Sequence, residues 1–216
     1  MFILTFTIAL FLFFSNKRKF VYGSFLVLGF SSIVRYEGIL LLLPFTIMLF
    51  IRLRREPRLF LKVGIALLIF SLSILPMIYL RIDATGRDGI FSQSIAGPIV
   101  YQKTLQESEE GSQVLKSMLV SGFSALPRYL ITVTIPIFII LVPLGVYITI
   151  KNREYKNNTL ILICFIMLIP AFYAYTRGIQ ETKYLLILFP IFSVFSVYAI
   201  KLFDSKINHR TVTFVS

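Results

Sequence analysis

Residues 59–80, LFLKVGIALLIFSLSILPMIYL, run for 22 positions with a single charge, Lys62. As a helix rising 1.5 Å per residue this stretch reaches about 33 Å, enough to cross the roughly 30 Å hydrocarbon core of a bilayer. Several other runs approach the same length, too many for one soluble core. Of the 216 residues 57% are hydrophobic and 15% charged, where an ordinary soluble domain carries about 25% charged residues. The expectation is an all-α fold: a polytopic transmembrane helical bundle of about seven spans, at 2–15, 20–34, 38–51, 59–80, 129–150, 159–175 and 184–203. Residues 1–216 then form one transmembrane domain, with a long extracytoplasmic loop at 81–128 and a cytoplasmic tail at 204–216. Residues 1–14 lack a basic n-region and a small-residue cleavage site, so they read as a membrane helix and not as a cleavable signal.

The formal net charge of +12 suits either nucleic acid or a membrane, and its distribution decides between them. With these spans, alternate connections fall on opposite sides. One side collects fourteen Lys and Arg against three carboxylates, the other eight against seven. The first is expected to be cytoplasmic, because Lys and Arg are retained there. The basic excess is then a topology signal, and no nucleic-acid partner is expected. The chain reads as a multi-pass integral protein of the cell membrane.

NKRK (16–19) and RLRREPR (52–58) are both basic, so the 32 residues between them must leave the cytoplasmic side and return. Two helices of about 16 residues reach about 24 Å each, short of the hydrocarbon core. Arg35-Tyr36-Glu37-Gly38, at the turn, is therefore expected below the outer lipid surface, where charge is tolerated only against protein or a water-filled cavity. That makes Arg35 and Glu37 candidates for a binding site. The plainer reading is that the bilayer thins, Arg35 snorkels to the headgroups and Glu37 neutralises it.

A second constellation is TRGIQETKYLLILFP (176–190), an external turn carrying Arg177, Glu181 and Lys183 that runs into a helix expected to begin at Tyr184. A cation at a helix start opposes the helix dipole, and an adjacent phosphate, held also by first-turn N–H groups, would supply a reason for Lys183. Alternatively this is a solvated loop whose Lys and Tyr mark the membrane interface. Between the two constellations, GPIVYQKTLQESEEG (97–111) has helix start and stop signals in Pro98 and Gly111. In SQVLKSMLVSGFSAL (112–126), Val114, Leu115, Met118, Leu119, Phe123 and Leu126 recur at spacings of three and four, the pattern of an amphipathic helix suited to a lipid surface or to packing on the bundle. Asp83 and Asp88, five residues apart around a turn, could bind a cation, but two carboxylates without further ligands are weak evidence, and no metal site is expected.

Other chemistries are excluded by residue counts. One cysteine, Cys164, lies within an apolar run, and one histidine, His209, lies in the tail, so disulfides and a Ser-His-Asp arrangement on the outer side are unavailable. No nucleotide-binding fingerprint occurs, and no cofactor is indicated.

The segment IVRYEG followed by LLLLPFTIMLFIRLRR, together with the later ETKYLLILFPIFSVFSVYAI, resembles two phrases of the polytopic glycosyltransferases that use polyprenyl-phosphate sugars. The pair, in the right order, covers about a fifth of the chain and is similar to the protein mannosyltransferase and lipid A aminoarabinose transferase type, with the GT-C fold. The resemblance implies transfer of a sugar from a polyprenyl-phosphate donor to an acceptor on the extracytoplasmic side, the acceptor and the catalytic residues being unknown here. It implies that Lys183, with Tyr184 beside it, lies near the lipid phosphate. Lys stands where the family more often has Arg and would lose bidentate geometry. Arg35, Glu37 and Arg177 complete the expected lipid-phosphate set.

Family members are longer and carry a catalytic acidic residue in the first outer loop. Nothing before Arg35 is acidic here. The expectation is that the chain corresponds to the C-terminal half of such an enzyme, inactive alone, with a missing N-terminal half as its partner. The competing classes are a secondary transporter or lipid-handling membrane protein, in which Arg35, Glu37, Arg177 and Lys183 line a substrate path, and a membrane scaffold without substrate. The charge asymmetry can be tested directly. In a Cys164→Ala background, Ser112→Cys should react with an impermeant thiol reagent from outside, and Tyr155→Cys only after permeabilisation. The reverse pattern overturns the orientation.

Overall fold

The computed structural model describes residues 1–92, 111–134, 136–152, 155–179 and 181–214. Among them the structure is helical throughout: α1 (Phe2–Phe13), α2 (Arg18–Val34), a 3-10 helix (Tyr36–Leu41), α3 (Leu42–Leu53), α4 (Leu59–Thr85), α5 (Gly111–Val133), α6 (Pro136–Asn152), α7 (Tyr155–Thr176), two short 3-10 turns (Thr182–Tyr184 and Leu186–Leu188) and α8 (Phe189–Phe214). The chain divides into two compact units, Met1–Ser121 and Gly122–Ser216, with the boundary inside α5.

Four stretches are long and apolar enough to cross a membrane: Tyr36–Leu53, Leu59–Thr85, Asn158–Thr176 and Thr182–Leu202. This identifies a membrane protein. The structure supports four spans where the sequence suggests about seven, or five if one bent pair is counted. α1 has 12 residues and reaches about 18 Å, well under the hydrocarbon thickness. The apolar run 129–150 is not one helix: Lys116–Thr132 and Pro136–Lys151 meet at 113°. Pro136 lacks the N–H a continuing helix needs and opens the new one instead. The start and stop signals read in 97–111 lie outside the described residues, apart from Gly111, which begins α5. The amphipathic pattern of 112–126 does form helix, with Leu119 and Phe123 exposed.

The return from RYEG also differs from the expectation of two equally short helices. Tyr36–Leu41 winds as 3-10, which rises about 2.0 Å per residue, so with α3 the segment spans about 30 Å if collinear. Only the outgoing α2, with 17 residues, is short. The 3-10 winding thus gives the return a membrane length, while α2 is not among the four stretches long and apolar enough to cross.

In the first unit, Phe13, Phe25 and Phe45 from α1, α2 and α3 are fully buried and mutually in contact, the closest pair with ring centroids 4.8 Å apart. α4 is apolar on all sides but buries only the stripe Ala66, Phe70 and Ile74, spaced four apart on one face. Phe60, Leu68, Leu72 and Tyr79 point outward, as expected of a helix that faces lipid. Its buried stripe meets α2 at Gly29, where an added Cβ would lie 1.7 Å from Ser73 Oγ and 3.2 Å from the Phe70 carbonyl oxygen.

In the second unit, α6 and α8 approach through Gly145, where a Cβ would lie 1.9 Å from the Phe195 carbonyl oxygen. Backbone cannot yield as a flexible side chain does, so Gly145→Ala must separate the helices or distort one of them. The expected cost is about 1–3 kcal/mol. Gly64, with nothing within 4 Å of its Cβ position, supplies the control. Gly64→Ala should be neutral or stabilising by up to about 1 kcal/mol. Thermal unfolding of both variants in detergent checks the contrast, and equal melting temperatures would contradict it.

Candidate functional site

α2 ends because Arg35 leaves helical geometry for an extended conformation, φ −143° and ψ 129°. Its N–H still donates to the Ser31 carbonyl at 3.0 Å, and its own carbonyl accepts from the Gly38 N–H at 2.9 Å, starting the 3-10 turn. The turn lies directly on α2. A Cβ at Gly38 would stand 2.9 Å from backbone atoms of Ser31 and Ser32, so only glycine fits that approach. The RYEG glycine is thus explained by packing before any ligand is considered.

That fold brings Arg35 and Glu37 together. Arg35 Nη2 donates to Glu37 Oε1 at 2.8 Å and Nε donates to Oε2 at 3.2 Å, a two-pronged ion pair. Glu37 is buried, whereas the Arg35 side chain retains 26% exposure. The guanidinium also lies 5.6 Å from the centre of the Phe2 ring, within cation–π range. A carboxylate at the start of a helical turn is favoured by the local dipole, so Glu37 is placed well in its own right. The arrangement holds a partly exposed guanidinium in a defined orientation.

The second constellation is built differently from its sequence reading. α7 ends in a paired-hydrogen-bond cap: the Ile179 N–H donates to the Ala174 carbonyl and the Gly178 N–H to the Tyr175 carbonyl, with Gly178 at φ +73°. Arg177 therefore sits at a helix C-terminus, where the dipole favours a cation. Its guanidinium lies 5.7 Å from the Tyr173 ring centre. Lys183 forms an ion pair with Glu181 and lies 5.5 Å from the Tyr184 ring centre. The expected helix start at Tyr184 resolves into two 3-10 turns, and α8 begins at Phe189. Lys183 is thus removed from the first turn of that helix, and the dipole argument for a phosphate beside it no longer applies. What remains is a half-exposed ammonium beside Glu181 and Tyr184.

No protein-family model, curated protein or solved structure matches this chain. The site is therefore read from its own geometry. Arg35 and Glu37 form one pair in the first unit, and Lys183 and Tyr184 lie together in the second, with Arg177 at the preceding helix end. Of the two aspartates, Asp83 lies in the last turn of α4, and Asp88 accepts hydrogen bonds from the N–H groups of Ile90, Phe91 and Ser92, which is a capping role. Partial removal from water pushes its carboxyl up, but a hydrogen bond from the Ser92 side chain, together with these backbone bonds, more than offsets that and holds it below its ordinary 3.8. Among the described residues, no group of three His, Cys, Asp or Glu side chains could hold a metal ion.

One cluster went unrecognised in the sequence because its residues enter there only as charges to be counted. Glu56, the lone acid of RLRREPR, accepts from Arg18 Nη2 at 2.8 Å and from Lys62 Nζ at 2.6 Å. The two basic turns thereby meet at one end of the first unit. Arg52 reinforces the junction by donating at 2.8 Å to the carbonyls of Phe13, the last residue of α1, and of Ser15 just after it. A single carboxylate inside a basic run was the available signal.

The Lys62 hydrogen bond holds the Glu56 carboxyl below its ordinary 4.5, with partial burial opposing and Arg18 adding to the effect. A depressed folded value means that the stabilisation is present above 4.5 and is lost as pH falls through the lower folded value. Wild type should therefore melt above Glu56→Gln at neutral pH, with the gap closing in acid below about pH 4. A gap unchanged by acid would show that the carboxylate charge plays no part.

Proposed function

We propose that this chain is part of a multi-pass cell-membrane glycosyltransferase that transfers a sugar from a polyprenyl-phosphate donor on the extracytoplasmic side, and that it contributes binding of the lipid phosphate. The observation that carries the reading is the Arg35 site. A guanidinium at a helix break is oriented by a buried carboxylate and an aromatic ring while staying partly open to its surroundings. Guanidinium is well suited to phosphate because its planar donors match phosphate oxygens. Glu37 then serves to position Arg35, which fits its burial and its use of both oxygens. In the second unit, taken by itself, Lys183 with Tyr184 is a proposed phosphate contact, and Arg177 borders the same turn. In such a reaction cations stabilise the charge that develops on the departing phosphate.

A second reading is favoured by the pairs themselves. Arg35 with Glu37, and Lys183 with Glu181, neutralise each other locally, as they would in a membrane scaffold without substrate. Binding separates the two. The purified chain in detergent should retain polyprenyl phosphate in preference to the matching polyprenol. Arg35→Gln should reduce that preference by about tenfold or more, the scale of a lost charge-assisted hydrogen bond. Equal retention of phosphate and alcohol would leave the scaffold reading standing.

A further inference from the structure

At the basic end of the first unit, α2, α3, the 52–58 turn and the start of α4 line a half-open cavity of about 310 Å³. Arg18, Arg52, Glu56 and Lys62 line its charged side, and Val21 and Leu49 contribute apolar wall. Three cations face one carboxylate there. Lys17, Lys19, Arg54, Arg55 and Arg58 lie exposed in the flanking turns, so the surrounding field is strongly positive. Arg52 is committed to the carbonyls of Phe13 and Ser15, and that commitment keeps α1 and α3 together around the cavity. Arg18 is more exposed than Lys62, the other donor to Glu56, with a side chain 68% exposed against 20%. A half-open cavity lined by cations and by buried aliphatic residues suits an anionic group attached to an apolar body.

We infer that this cavity binds a phosphate group, presented by the headgroup of an anionic membrane phospholipid, at the end of the unit opposite Arg35. Basic pockets between membrane helices bind anionic headgroups through this combination of local charge and adjacent apolar surface. The phosphate oxygens accept from Arg18 and Lys62, and Glu56 is their competitor. In the absence of the anion Glu56 holds the two cations in place across a gap of 38 residues in sequence between Arg18 and itself. When the anion enters, it takes over part of that pairing. The site therefore joins the two basic turns through either of two bridging anions, one belonging to the chain and one to the membrane.

The opposing roles of Arg18 and Glu56 make the test directional. The full chain is placed in nanodiscs of phosphatidylcholine containing a minor fraction of phosphatidylglycerol, and the lipid retained after release into detergent is counted by native mass spectrometry. Phosphatidylglycerol should be retained over phosphatidylcholine. Arg18→Gln should weaken that preference about fivefold, the worth of one basic residue near an anionic surface. Glu56→Gln should strengthen it, because the competing carboxylate is gone; a purely structural Glu56 would give no such gain. Arg87→Gln, which removes an exposed cation just beyond the far end of α4, should leave it unchanged. In a second arm, inorganic phosphate alone is titrated against the thermal stability of the chain in detergent. Stabilisation that Arg18→Gln removes, without any phosphatidylglycerol preference, would identify free phosphate as the source and keep the site. Absence of both effects, a Glu56→Gln that binds no more tightly, or an Arg87→Gln as damaging as Arg18→Gln would overturn the proposal.

Discussion

Close backbone approach at small residues is the constraint on which the rest of this structure depends. Lipid removes the hydrophobic drive that brings helices together in water, so packing must come from shape. Gly29 lets α4 come against α2, Gly38 lets the 3-10 turn lie on Ser31 and Ser32, and Gly145 lets α8 lie on α6. Each contact is with backbone or with a short serine side chain. The large residues collect between these contacts, most visibly the Phe13, Phe25 and Phe45 cluster, or face outward along α4. Small residues thus define where the helices touch, and the aromatic residues fill the space that results.

The charges of the first unit are sorted to its two ends by the same packing. α1 starts beside Arg35 and finishes where Arg52 grips its last carbonyls, while α2 runs back from Arg18 to Arg35. At each end a carboxylate holds cations: Glu37 holds one in a two-pronged pair, and Glu56 bridges two from different turns. The difference in geometry matters chemically. A guanidinium paired on two donors keeps a fixed orientation, whereas a carboxylate shared between separate side chains is a junction that another anion can enter. The exposure of Arg18 makes its own pair worth little to stability, so exchanging it costs little.

Much of this organisation was legible in the residues. The helical character, the membrane length of 59–80, the separate interest of RYEG and the placing of the two basic turns on one side all follow from hydropathy, charge and chain length. RYEG's role as a break was legible because two basic segments expected on one side require a turn between them. The Arg177-Gly178 step was legible as a helix stop in principle, since glycine after a helix so often takes the left-handed conformation, but its attached charges drew the reading toward a ligand. The run 129–150 misled because hydropathy does not register direction. Pro136 lets an apolar stretch turn by 113° without losing a single apolar residue.

The sequence by itself determined that this chain forms apolar helices long enough for a membrane, and which residues carry charge between them. Those properties are local: they depend on side-chain transfer from water and on helical rise, and neighbours hardly change them. Only the tertiary structure decided that Glu37 clasps Arg35 with both oxygens, that Glu56 bridges Arg18 and Lys62, and that Gly38 is required by the backbone beneath it. Ion pairs between distant residues and close backbone contacts depend on orientation within a few tenths of an ångström. Helix phase, 3-10 winding and crossing position set that orientation, and none of them is carried by a residue in isolation.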